Sequence, residues 1–462
     1  MRILLVVYDN DSYTHIFPMG MGYIAAVLEE AGHDVDIYSQ DYHHYPDDHL
    51  RQFLDANVYD FVGVSLIAGY YQYRKLLKIS DAINASKNRP IYAIGGYGPT
   101  PEPEFFLRKT GADIIVQGEG EITAVELLEA LANKSPLANV KGIAFREGEN
   151  VIVNERRGQI EDLDTIPWPA YHKFPIEYYR MAREAGAVPT DFYLPMMSAR
   201  GCTFKCTFCY RMDTGYRARN PENIIEEIRY LNKDFGINYI SFQDDLLMSS
   251  VAHTEEVCRA FMNSGLDVKW NCNGRLNYCT PELIKMMKKA GCVFINYGIE
   301  AMDNDVLKKM KKGLRTDQII NGIEMTIAEG IHPGLNMMFG NLGDTPETLQ
   351  KAVDFLLKYD DFGQMRTIRP VTPYPGSPLY YRAIEEGLLE GVEDFYENKH
   401  LNSDLLAVNF TDMTDEEFYD CLTKANTSLL NNYYNSARDS ALDTVNNLYK
   451  NKNTAFRGFR QI

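Results

Sequence analysis

Short apolar runs alternate with longer stretches in which apolar residues recur at helical spacing, and this alternation fills the first third of the chain. Residues 2–8 (Arg-Ile-Leu-Leu-Val-Val-Tyr) read as a buried strand, 20–31 as a helix ending at Gly32, and 35–38 as the next strand. Residues 59–66 and 91–95 continue the strands, with a helix over 71–85 between them. A helix over 101–109, a strand over 113–116 and a helix over 121–133 complete the series. Short apolar strands separated by helices predict a doubly wound parallel sheet covered on both faces, whose ligands lie at the C-terminal ends of its strands.

Residues 140–153 read as a hairpin turning at Gly148-Glu149-Asn150, and 155–195 as a Pro- and Tyr-rich linker. A second βα series follows. Its strands are expected over 194–198, 238–242, 268–272, 293–297, 334–338 and 365–369, and its helices over 221–234, 253–264, 281–290, 303–310, 316–329 and 346–358. Six βα units predict a partial (β/α)6 barrel rather than the eight of a closed one. The expected fold class is therefore α/β: an N-terminal doubly wound sheet (1–135), hairpin and linker (136–193), partial barrel (194–380) and a helical C-terminal region (381–462).

Composition narrows the function without naming it. The net charge of −17 argues against a general nucleic-acid binder, which needs basic surface to neutralise phosphates. No stretch approaches the length of a membrane helix, and the run Ile3–Tyr8 is too short for a signal-peptide core, so a cytoplasmic protein with no membrane span is expected. The 31 tyrosines read chiefly as core and surface residues, with a polar substrate cleft as the other use. Of eight cysteines, five are scattered, as small buried hydrophobes are, while Cys202, Cys206 and Cys209 are clustered in a way no secreted disulfide framework would be.

That cluster, Ser198-Ala-Arg-Gly-Cys202-Thr-Phe-Lys-Cys206-Thr-Phe-Cys209-Tyr210, has the spacing Cys-x3-Cys-x2-Cys. Three thiolates on one loop can take three irons of a 4Fe–4S cube and leave the fourth open. Soft thiolates also suit zinc, and chance is a third reading. A structural zinc would want a fourth ligand, and no Cys or His follows Cys209 for about 40 residues until His253. The loop follows an expected strand, at the end where βα barrels put their chemistry; Gly201 frees the backbone, and Phe208 and Tyr210 flank Cys209.

On these residues the chain resembles the radical S-adenosylmethionine superfamily, over about residues 194–380. The resemblance implies that the open iron chelates S-adenosylmethionine (SAM), and that one electron cleaves SAM to methionine and a 5′-deoxyadenosyl radical that takes hydrogen from substrate. It assigns SAM-binding positions to Phe208, to Asp244 or Asp245 for the ammonium, and to Glu300 near the ribose. Arg275 is a candidate carboxylate partner, and Met337 and Phe339 lie on the segment whose backbone meets adenine. Pro373-Tyr-Pro-Gly376-Ser-Pro-Leu-Tyr380 looks like the family's sixth-strand exit loop. No conventional catalytic pair is expected.

Four strand-end loops of the first sheet are Gly-rich or polar: Pro18-Met19-Gly20-Met-Gly22, Ser65, Gly95-Gly96-Tyr-Gly98 and Gly118-Glu119-Gly120-Glu121. No G-x-G-x-x-G follows the first strand, so a dinucleotide site is excluded. Together the loops look like the cobalamin-binding domain fused to one branch of radical SAM enzymes. This implies Met19, Gly20, Ser65, Gly95, Gly96, Gly118, Glu119 and Gly120 as cobalamin-binding residues. The Asp-x-His-x-x-Gly motif that ligates cobalt elsewhere is absent, with His15 at the wrong spacing, so the metal is expected to have no protein His.

Both cofactors together imply methylation of an unactivated carbon. One SAM methylates reduced cobalamin, a second yields the radical, and the substrate radical takes the methyl group. A radical cyclisation, rearrangement or oxidation that keeps cobalamin is the alternative enzyme, and a scaffold or sensor without turnover is the alternative class. The implied partners are a small-molecule, natural-product or peptide substrate and a low-potential donor such as flavodoxin or ferredoxin. The tail Ala455-Phe-Arg-Gly-Phe-Arg-Gln reads as a hydrophobic pair with solvated arginines, or as a contact for an anionic group.

Overall fold

The computed structural model describes residues 1–9, 11, 16–212 and 214–456; His15 and most of the Arg-containing tail lie outside these. The first sheet has seven strands: β1 (Arg2–Val7), β2 (Asp34–Ser39), β3 (Phe61–Ser65), β4 (Ile91–Gly95), β5 (Ile114–Val116), β6 (Ile143–Glu147) and β7 (Asn150–Val153), in the order β2-β1-β3-β4-β5-β6-β7. The first five run parallel and the hairpin adds two antiparallel strands at the edge. The expected hairpin thus forms and widens this sheet. Its strands carry apolar residues on both faces because helices cover both: Ile3 and Leu5 enter one core, Leu4 and Val6 the other. Two helices over residues 40–43 and 49–56 lie in a stretch rich in His, Asp and Pro whose pattern signals no element.

The second sheet starts at β8 (Tyr193–Met196), which leads into the two-residue strand β9 (Ala199–Arg200). After the cysteine loop the chain returns as β10 (Arg217–Ala218), antiparallel to β9. Then come β11 (Tyr239–Phe242), β12 (Lys269–Gly274), β13 (Cys292–Glu300), β14 (His332–Phe339) and β15 (Arg369–Pro370), in the order β15-β14-β13-β12-β11-β8. The strands are all parallel and the sheet curls as an open partial barrel. Its helices start at side-chain caps: Asn220, Ser250, Thr280 and Thr345 each cap a following helix through the side-chain oxygen.

Strand alternation decides which residues see the barrel interior. Leu194, Met196, Ile240, Phe242, Trp270, Cys272, Ile295, Tyr297, Leu335, Met337 and Phe339 are buried in the outer core against the helices. Their neighbours Ser241, Gln243, Asn271, Asn273, Asn296 and Asn336 therefore face inward. The same core runs on through Tyr171, Phe174 and Tyr179 of the linker to β1, so the two sheets share apolar packing. A second core joins the other face of the first sheet to the segment after the barrel: the Tyr396 ring lies 4.6 Å from Tyr73 and 5.5 Å from Phe106. The last helix runs from Asp415 to Lys450, opened by a Thr414–Glu417 capping box, and its second half stands mostly exposed. No helix among the described residues is long and apolar enough to cross a membrane.

His400 carries a pH-dependent liability in this second core. It is fully buried, stacked on Phe395 at 5.0 Å, and neither ring nitrogen has a partner among the described residues. Burial pushes its pKa down to about 4. A base whose folded pKa is depressed keeps full stability above its unfolded pKa and loses it as pH falls toward the folded value. The loss here is about 1.4 kcal/mol per pH unit below roughly 6.5. His400→Phe keeps a ring in the stack and removes the titration. Its stability relative to wild type, measured by urea unfolding, should rise by about 2 kcal/mol between about pH 7.5 and about pH 5. An advantage unchanged across that range would show that His400 does not titrate as described.

Candidate active site

The cysteine loop is pinned before, within and after its three thiols. Before it, the fully buried Ser198 donates through its N–H (2.7 Å) and its hydroxyl to Asp244, and Ala199 N–H donates to the same carboxylate at 3.0 Å. Gly201 has φ +83°, and a Cβ there would lie 2.5 Å from the Gly215 carbonyl oxygen, so only glycine lets the two arms of the loop close. Within the loop, Thr207 N–H donates to Met310 O at 3.0 Å, and Leu379 N–H donates to Thr207 O at 2.9 Å. After it, Tyr210 packs on Gly376, where a Cβ would meet its ring at 2.5 Å, and meets the Tyr97 ring edge-on at 6.2 Å.

Cys206 is buried, and Cys202 and Cys209 are half-buried. Cys206 and Cys209 share a hydrogen bond; that bond, with Lys312 and Arg275 close by, holds the Cys206 thiol down at about 6. Burial pushes the Cys202 thiol up. Among the described residues no three His, Cys, Asp or Glu side chains are gathered around one ion position. Three thiolates along one loop, beside two cations, suit a cube in which each takes a different iron.

The residues expected to anchor SAM divide by environment. Asp244 is 1% exposed and both its oxygens accept from Ser198 and Ala199; burial pushes its carboxyl up to about 6 against those hydrogen bonds. It is a brace for the loop, closed to a ligand. Asp245 is exposed, in a recess deep enough to raise its pKa, with the Gly201 N–H aimed at its carboxylate. Glu300 lies at a register shift in β13 with φ +71°, a strained geometry for a non-glycine residue, and it pairs with buried Lys312 at 2.8 Å. Gly298 makes room for that pair: a Cβ there would lie 2.4 Å from Glu300 Oε1. Arg275 is turned to the cysteine loop, 3.3 Å over the Phe204 ring and bonded to the Lys312 carbonyl, so its guanidinium already has partners. Phe208 lies 5.6 Å from Lys312 Nζ. The Met337 and Phe339 side chains point outward into the core, Phe339 stacked on Phe418 at 4.8 Å, so toward the interior they offer only backbone.

Ser65, Gly95, Gly96, Gly118, Glu119 and Gly120 lie at or just after the C-terminal ends of β3, β4 and β5, and Met19 and Gly20 open the helix Met19–Glu30 that follows β1. A Cβ on Gly20 would meet nothing within 4 Å and one on Gly118 only Arg156 at 4.0 Å, so the backbone there is open to a large ligand. Gly96 instead serves close packing, since a Cβ would lie 2.4 Å from Leu66 O. Glu119 is spoken for. It pairs with Arg200 at 2.8 Å and Arg217 at 3.0 Å, and accepts the Ile160 N–H at 2.7 Å. Glu121 takes the other end of Arg200 at 2.5 Å. Burial pushes the Glu119 carboxyl up, but Arg200, the Ile160 N–H and Arg217 together hold it below the ordinary carboxylate range. Sequence reasoning missed Arg200, Arg217 and Lys312. Arg200 and Arg217 pair across β9 and β10, and Lys312 ends a Lys-Lys-Met-Lys-Lys run that reads as a solvated helix end. Thr100, which joins the loops after β4 and β5 through Gly96 O and Gly118 N, was also unsignalled.

A partial barrel with three thiols on its first strand-end loop, clamped to the ligand-facing loops of a doubly wound sheet, defines a two-domain metallocofactor protein. Residues 196–356 match the family model of the Radical SAM superfamily, and residues 5–128 that of the B12 binding domain. The chain belongs to the radical SAM enzymes that carry a cobalamin-binding domain. It is 29% identical over 401 residues to the uncharacterized methyltransferase PH0819 of Pyrococcus horikoshii, covering 84% of each chain. It is 27% identical to the cytidylyl-2-hydroxyethylphosphonate methyltransferase of Streptomyces wedmorensis, covering 84% of this chain and 82% of that one. It shares the fold of the radical SAM methyltransferase TsrM from Kitasatospora setae, solved with cobalamin and a [4Fe-4S] cluster: TM-score 0.67, 18% identity, 83% of this chain and 75% of that one. The cofactors of the class are a 4Fe–4S cluster, SAM and cobalamin, and the thiol loop, the open Asp245 carboxylate and the open Gly20 and Gly118 backbone fit them.

Proposed function

We propose that the protein methylates an unactivated carbon of a small-molecule substrate, with Cys202, Cys206 and Cys209 holding the cluster, Asp245 facing the SAM ammonium, and the Met19–Gly20, Ser65, Gly95–Gly96 and Gly118–Gly120 loops cradling cobalamin. When bound, these groups supply reductive cleavage of SAM, hydrogen abstraction from a C–H bond and the methyl group that replaces the hydrogen. The observation that carries the reading is the clamp of Arg200 and Arg217 on Glu119 and Glu121, with Tyr210 against Tyr97. It holds the cysteine loop against the strand-end loops of the first sheet, as two cofactors acting on one substrate would require. The residues act by position and by excluding water, which suits a reaction whose rate comes from orientation more than from acid–base groups. A low-potential protein donor, flavodoxin or ferredoxin, and a cytoplasmic setting complete the proposal. The deciding experiment is anaerobic turnover with methyl-labelled SAM in cell extract, searching by mass spectrometry for a metabolite or peptide that gains the labelled methyl. Deoxyadenosine formed with no label transferred would favour cyclisation or oxidation instead.

The two aspartates can be separated. Asp245→Asn removes the ammonium's partner and leaves the loop braced, so SAM affinity should fall about ten- to a hundredfold, the equivalent of about 1.5–3 kcal/mol, with iron content unchanged. Asp244→Asn replaces an acceptor of three hydrogen bonds inside the fold and should lower stability and iron loading together. Glu300→Gln, facing a neutral ribose, should weaken SAM less than Asp245→Asn. Equilibrium dialysis with iron measured first distinguishes these, and wild-type affinity in Asp245→Asn would remove it as the anchor.

A further inference from the structure

The barrel interior carries a row of carboxamides that neither the cluster loop nor the clamp uses. Asn273 Nδ2 donates to the Asp244 carbonyl at 2.8 Å, Asn296 Nδ2 to Asn273 Oδ1 at 2.9 Å, and Asn336 Nδ2 to Asn296 Oδ1 at 2.8 Å. The row crosses β12, β13 and β14, with Asn273 the register partner of Asn296 and Asn336 two residues beyond Gly334, the partner of Asn296 on β14. Gly334 permits it, because a Cβ there would lie 2.4 Å from Asn296 Oδ1. All three amides point the same way, and the row ends on Asn336, which is exposed and whose Oδ1 takes no part in the row. One step deeper, Gln243 donates to Ser241 Oγ at 2.8 Å, and Ser241 and Asn271 donate to Glu184 at 2.9 and 3.1 Å.

Cations at the two ends of the barrel strands are already matched. Lys269 pairs with Asp191 at 2.9 Å, Lys312 with Glu300 at 2.8 Å, and Arg275 with the Lys312 carbonyl. A phosphate or carboxylate entering here would therefore meet cations with partners of their own. An apolar ring system would strip water from Asn336 and the spare amide hydrogens and return no hydrogen bond. A neutral group with N–H or O–H donors beside acceptors matches the row, because each carboxamide offers both kinds of site.

We propose that this row binds the substrate: the portion held in the barrel is neutral and hydrogen-bonding, amide- or hydroxyl-bearing, with a donor placed on Asn336 Oδ1. This deepens the methyl-transfer reading by naming the substrate class, and it is tested apart from that reading. Saturation-transfer NMR on the full chain, run with and without reconstituted cluster, compares four probes: N-acetylglycinamide, myo-inositol, camphor and methylphosphonate. N-acetylglycinamide or myo-inositol should give the strongest transfer, the first marking an amide and the second a polyol as the source. The signal should be about fivefold weaker in Asn336→Leu and Asn336→Ala, as loss of one hydrogen bond implies. Position 336 is exposed, so both variants should melt as wild type does. Camphor or methylphosphonate giving the strongest signal, transfer indifferent to both variants, or no transfer to either polar probe would each overturn the assignment. A missing cluster would sink the radical SAM reading and leave this result standing, because the binding arm is also run on cluster-free protein.

Discussion

Cys206→Ala, reconstituted anaerobically, will lose most of its iron and form no deoxyadenosine from SAM, and the triple alanine variant at Cys202, Cys206 and Cys209 will hold none. Wild type should hold about four irons and four sulfides per chain, as a three-thiolate 4Fe–4S site requires. Cys206 is the most informative single change. It is the most buried of the three, it bonds to Cys209, and Lys312 and Arg275 stabilise its thiolate. Alanine there removes one ligand and leaves the two cations facing an apolar methyl group in a buried site, which penalises any cube rebuilt on the other two thiols. The brace on the loop is untouched, since Ser198, Ala199 and Asp244 lie before the first cysteine. A folded protein without iron is therefore the expected state. Iron and sulfide assays with the thiolate-to-iron charge-transfer absorbance give the readout. Full iron content in the triple variant would refute the cluster assignment.

Glu119→Gln should cost about 3–5 kcal/mol of folding stability, the range for breaking one side of a buried charge network. The Glu119 side chain is 5% exposed, and the variant leaves Arg200 and Arg217, 13% and 9% exposed, with Glu121 as the remaining carboxylate. The effect should reach the cysteine loop, because Arg200 and Arg217 are register partners on the two strands that frame it. Urea unfolding measures the stability, and hydrogen exchange over residues 198–219 measures the loop, where protection should fall. The sign with pH is fixed by the depressed Glu119 carboxyl: its stabilisation is present above the unfolded carboxylate pKa and is lost on acidification through the folded one. The gap between wild type and variant should thus be full near neutral pH and shrink in acid. An unchanged gap, or a variant as stable as wild type, would mean the clamp contributes no net stability.

How legible each part was follows from how local its cause is. The strands over 2–7, 61–65 and 91–95 and the barrel strands were readable because runs buried on both faces carry their own signal. The short helices over 40–43 and 49–56 carried none, since their composition is that of a loop; the second is held by the packing of Leu50 and Leu54. Cys202, Cys206 and Cys209 were readable as a site because three ligands on one loop need no tertiary information. Asp244 and Asp245 could be placed near the site but not told apart, because the difference between a brace and an open carboxylate is which way adjacent residues face. Glu119 read as a ligand residue for the same reason; only the arrival of Arg200 and Arg217 from another part of the chain consumes its oxygens.

By itself, the sequence determined the two βα series, the thiol loop and the Gly-rich strand ends, because hydrophobic period, ligand spacing and backbone freedom are properties of neighbouring residues. Only the tertiary structure decided that the loop and strand ends are clamped together, that Lys312 answers Glu300, and that Asn273, Asn296 and Asn336 form one directional row. Those partners lie 98 residues apart for Arg217 and Glu119, 12 for Lys312 and Glu300, and 40 for Asn336 and Asn296. Pairings of that kind are set by sheet register and domain packing, and no local pattern encodes them.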